Sequence, residues 1–140
     1  MSNDIKDFLD QTKVDVDAIA GINRTVISYA FDIELLTRIP RFPCAVLADA
    51  GGELDEFNGQ IWRRFLDITI VVNIPRDSFG EEATRELLDL GDLLTAALEH
   101  NTTDTVFLAA DSDSESIATE SGVILLSKTY RFSYMLDRSS

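Results

Sequence analysis

His100 is the only histidine in the chain and Cys44 the only cysteine, so few side chains could do acid–base or nucleophilic chemistry. A nucleophile, a base and an orienting group must converge, and that needs a His near a Ser or Cys. His100 falls at the end of an amphipathic pattern, where an imidazole suits the negative pole of a helix. Cys44 lies in an apolar run, where a free cysteine behaves as a small buried hydrophobe. One His and one Cys cannot build a structural zinc cage. The run Asp111-Ser112-Asp113-Ser114-Glu115 has the acid spacing of a calcium loop. That loop wants Gly at its sixth position and Glu at its twelfth, which here are Ser116 and Gly122. Gly51-Gly52 is followed by an acidic segment, not by the helix start and lysine of a phosphate-cradling loop. The neighbouring acids Asp55 with Glu56, and Glu81 with Glu82, project in different directions and do not form a shared-proton dyad. The expectation is therefore no catalytic residue, no cofactor and no metal: not an enzyme.

The residues that could recognise another protein are better marked. Trp62, Arg63 and Arg64 form a basic, aromatic spot in an otherwise acidic chain, and Trp and Arg are enriched at interface hot spots. An ordinary solvated strand end is the competing reading. Arg38 and Arg41, either side of Pro40, form a second basic spot. The acids Glu53, Asp55 and Glu56 in one segment, and Asp111, Asp113 and Glu115 in another, would meet such arginines on a neighbouring subunit with complementary charge.

The elements that must hold these residues follow from periodicity. Ser2-Asn3-Asp4 offers an N-cap for a short helix with Ile5, Phe8 and Leu9 on one face. Between Val14 and Ile39 both periods fit: Ile27, Tyr29, Phe31, Ile33 and Leu35 alternate as in a strand, while Val26, Ala30, Ile33 and Thr37 suit a helix. Cys44 to Ala48 reads as a strand closed by a turn at Gly51-Gly52. Glu53 to Gly59 reads as an acidic loop, and Gln60 to Asn73 as a strand with Leu66, Ile68, Ile70 and Val72 facing the core. After Pro75, Asp77 or Ser78 can cap a helix running to about Glu99 on Ala83, Leu87, Leu90, Leu94 and Ala97. Thr105 to Ala110 reads as a strand and Asp111 to Glu120 as a polar loop. Gly122 to Leu136 reads as a final strand with Ile124, Leu126, Tyr130, Phe132 and Tyr134 on one face. The predicted fold is α+β: an antiparallel sheet of about four strands with helices packed on one face. A single domain is expected, with residues 1–41 as N-terminal helix and connecting segment and residues 42–140 as the sheet–helix core.

Composition bounds the function. Apolar residues make up 45% of 140, enough for a sizeable core. Twenty-five acids against twelve bases give a formal net charge of -13. That excludes ordinary binding to nucleic-acid phosphates, though an acidic wall would let DNA slide past without sticking. Simple solubility, or adaptation to a salty cytoplasm, explains the same acidity. No apolar run approaches the ~20 residues that span a bilayer, and the first ten residues lack the pattern of a signal peptide. The lone thiol fits a reducing compartment. A soluble, cytoplasmic protein with no membrane partner is expected.

The order of elements resembles a family, the tail terminator proteins of tailed phages, also called tail completion or minor tail proteins. The resemblance runs from Phe42-Pro43-Cys44-Ala45-Val46-Leu47 through the strand Arg63 to Val72. It continues in the helix Glu82 to Leu94 and ends in the strand Gly122 to Tyr134, covering roughly the last hundred residues. Residues 14–39 form a longer N-terminal connection than is usual there. The resemblance implies a structural virion protein: a homo-oligomeric ring, typically a hexamer, that caps the tail tube and stops its polymerisation. The implied partners are the tail tube protein and a neck or head-completion protein, with DNA passing through without specific binding. The implied location is the virion tail, after assembly in the host cytoplasm. A neck or head-tail connector, and a non-viral adaptor domain that binds a protein partner, are the alternative readings.

Overall fold

The computed structural model of the chain describes residues 5–28, 42–54, 61–74, 80–100, 108–118 and 124–137. Helix α1 (Ile5–Asp17) leads to strand β1 (Arg24–Ser28), then β2 (Cys44–Leu54) and β3 (Ile61–Ile74). Helix α2 (Glu81–His100), β4 (Leu108–Ala118) and β5 (Ile124–Asp137) complete the order. The strands form one sheet in the order β1-β2-β3-β5-β4. The fold is α+β, as expected, with both helices contributing to one core cluster over one face.

The sheet has five strands and is mostly antiparallel: β1 pairs with β2 in parallel and the other pairings are antiparallel. A parallel neighbour needs a crossover of a dozen or more residues, and residues 29–43 separate β1 from β2. Residues before 41 join the same core and sheet as those after it. Val16, Ile19 and Ile22 belong to the main core, and β1 is a strand of the sheet. Asn23 ties the two parts together: its backbone N–H donates to the Pro43 carbonyl at 2.9 Å and its side-chain amide to the Phe42 carbonyl at 2.9 Å. Helix α1 runs well past the short helix expected. Of the ambiguous stretch 14–39, the first residues end α1 and Arg24–Ser28 form β1; residues 29–41 lie outside the described residues.

Strand β3 is central, and its alternation does what the sequence requires. Leu66, Ile68, Ile70 and Val72 are buried in the main cluster, each contributing on the order of 1.5–3 kcal/mol. They face Ala83, Leu87, Leu90, Leu94 and Leu98 of α2, at the spacing that keeps one helical stripe on the sheet. Across the β3–β5 register, Leu66 pairs with Phe132 and Ile68 with Tyr130, so β5 brings aromatics to the same face. Leu126 packs partly buried against this cluster, and Ile124 is 46% exposed at the sheet's end.

Helix α2 starts at Glu81, so Gly80 holds the N-cap position; Asp77 and Ser78, the expected caps, lie outside the described residues. The Gly80 carbonyl accepts from the Thr84 backbone N–H at 2.8 Å and from the Thr84 hydroxyl at 2.7 Å. Glu81 and Glu82 occupy the first turn, where the helix dipole favours acids. Mid-helix, Gly91 would cost about 1 kcal/mol against Ala in isolation. Here a Cβ at Gly91 would overlap the Tyr130 hydroxyl and ring, so the missing side chain lets the helix lie on the phenol.

Candidate assembly surfaces

Every second residue of the sheet faces away from the helices, and on that side the register builds cross-strand rows. One row runs Cys44, Val71, Ser127 and Glu115; the next runs Val46, Thr69, Thr129 and Asp113; the third runs Ala48, Asp67, Arg131 and Asp111. Along these rows the residue types change from apolar in β2 to acidic at the β4 register positions. Cys44, Val46, Val71 and Leu125 form a second buried cluster. Burial pushes the Cys44 thiol up to about 12, so it stays protonated and unreactive near neutral pH. The hydroxyls of Thr69 and Thr129 meet at 2.8 Å, a cross-strand hydrogen bond that satisfies two polar groups among buried neighbours. One row further, Arg131 grips Asp67 with two bonds, Nε to Oδ1 at 2.8 Å and Nη2 to Oδ2 at 3.0 Å. The guanidinium also lies 5.9 Å from the centre of the Phe65 ring, within cation–π range.

Residues 111–118, expected in a loop, are in a strand, and residues 119–120 lie outside the described residues. Asp111, Asp113 and Glu115 lie in β4, opposite Arg131, Thr129 and Ser127, with Ser112, Ser114 and Ser116 in the alternate positions. Of the strand expected at Thr105 to Ala110, residues 108–110 lie in β4, which runs on to Ala118, and residues 105–107 lie outside the described residues. β4 is an edge strand, and alternating polar residues are what an edge tolerates, since charges there discourage unwanted pairing. A register shift between Ala109 and Asp111 starts the acidic row. Asp111 and Asp67 are both register partners of Arg131, so that arginine stands between two aspartate positions.

Glu53, Trp62, Arg63 and Arg64 take register positions at the far end of the β2–β3 pair. Gly51-Gly52 does not end β2; a register shift between Asp49 and Gly52 lets the strand run on to Leu54. Gly51 takes φ 89° at this bulge, a conformation that glycine adopts without the penalty of a side chain. Glu53, expected in a loop, therefore pairs in register with Arg63, an opposite-charge couple across the strands, and Leu54 pairs with Trp62. On the other side of β3, Trp62, Arg63 and Arg64 are register partners of Leu136, Met135 and Tyr134. The β4–β5 register is described from Leu108 with Ser133 onward. The structure thus brings Glu53 to Arg63 and keeps Asp111, Asp113 and Glu115 two strands away from β3. Arg38, Arg41, Asp55 and Glu56 lie outside the described residues.

Sequence reasoning missed the Asp67–Arg131 pair. Its members are 64 residues apart, and each reads alone as a charge on the polar side of a strand. His100 is the last residue of α2, as its place in the amphipathic pattern suggests. Among the described residues no helix is long and apolar enough to cross a membrane. No protein-family model matches the chain, and a search of curated proteins finds no relative.

Proposed function

We propose that this chain is a structural subunit that assembles head to tail into a closed ring, as the tail terminator proteins it resembles do, to cap a phage tail tube and join it to the neck. The observation that carries the reading is the unlike character of the two sheet edges. Among the described residues the edge strands are β4, which carries Asp111, Asp113 and Glu115 and no base, and β1, which carries Arg24 and no acid. Edges that differ in this way favour a heterologous contact over a two-fold one, because like edges would bring acids against acids. Heterologous contacts close into rings when the rotation permits. Trp62, Arg63 and Arg64, in register with Leu136, Met135 and Tyr134 near the start of β3, are residue types that suit a contact with a neighbouring copy or with the tube end. An acidic ring around a channel would pass DNA without holding it.

The test is the solution mass of the purified protein by light scattering at low and high salt. Raising the salt to 1 M shortens the Debye length to about 3 Å, so self-repelling acidic copies should close more readily. A discrete ring, hexameric by the resemblance, is the expected result, and Arg64→Glu should weaken it while leaving the far-ultraviolet circular dichroism unchanged. A strict monomer at every salt concentration that also fails to bind tube ends would overturn the reading.

A further inference from the structure

No further inference is drawn: the strongest candidate, the row of Asp111, Asp113 and Glu115 along the open edge of β4, belongs to the assembly surface already described and has no second observation that points to a ligand.

Discussion

The two faces of β3 solve the same problem by different means. On the helix side, Leu66, Ile68, Ile70 and Val72 are covered by aliphatic side chains from α1 and α2 and by Tyr130 and Phe132. On the opposite side, the alternate residues pass from Val71 through Thr69 to Asp67, and each finds a different partner. Val71 joins a small apolar cluster, Thr69 shares a hydrogen bond and Asp67 takes an arginine. Thr69 is as well buried as its aliphatic neighbours, at 1% exposure. The first face draws its stability from area removed from water. The second depends on polar groups being matched one to one, and there the loss of a partner costs more than the presence of the pair gains.

That contrast can be broken at graded cost. The largest effect is expected on the helix side, where Leu66→Ala should destabilise the fold by about 2–5 kcal/mol in urea denaturation, through lost transfer energy plus a cavity. A loss under about 0.5 kcal/mol would mean that the faces are reversed. Next comes Gly91→Ala, which should cost about 1–3 kcal/mol through overpacking against Tyr130, despite the better helix propensity of Ala. Adding Tyr130→Ala should remove most of that extra cost, and a double-mutant cycle measures the coupling. If Gly91→Ala is neutral alone, the helix does not lie on the phenol.

The opposite face should answer more gently and with a different signature. Thr69→Val alone leaves the Thr129 hydroxyl without its partner and should cost about 1–2 kcal/mol. The double replacement of Thr69 and Thr129 by Val should cost less than the single one; an additive result would show that the hydroxyls are matched elsewhere. The smallest effect is expected at the ion pair. Asp67→Asn should cost under about 1 kcal/mol, since the Arg131 side chain is 47% exposed, and the difference should shrink in 1 M salt. A loss unaffected by salt would assign Asp67 a role other than pairing.

How much of this was legible in the sequence depends on whether one period dominated. The helix Glu81–His100 and the strand Ile61–Ile74 were readable because their apolar residues keep a single spacing over many turns or pleats. β1 was not, because between Val14 and Ile39 the strand and helix spacings both fit and only the parallel pairing with β2 decides. The extension of β4 beyond Ala110 was missed because Asp and Ser read as loop residues by composition. The strict alternation of acids and serines from Asp111 to Ser116 was the available signal, and it is the period of a strand whose outer edge is open. The candidate surface was legible as residue types, not as geometry. Which acid meets which arginine is a matter of register, and register is set by turns and by the bulge at Asp49 and Gly52.

The placement of β5 between β3 and β4 has a consequence for how the chain reaches this state. β3 and β4 are both made before β5, yet neither has its β5 partner until Ile124–Asp137 has emerged from the ribosome. Until then β3 can pair with β2 alone, and a strand with aliphatics along its length keeps one flank open. Sheets completed by such distant pairings close slowly, because the loop entropy is spent before the contacts form. The nascent chain therefore passes through an interval in which its most apolar strand is unprotected, and chaperone occupancy and soluble yield should be governed by that interval more than by the stability of the finished fold.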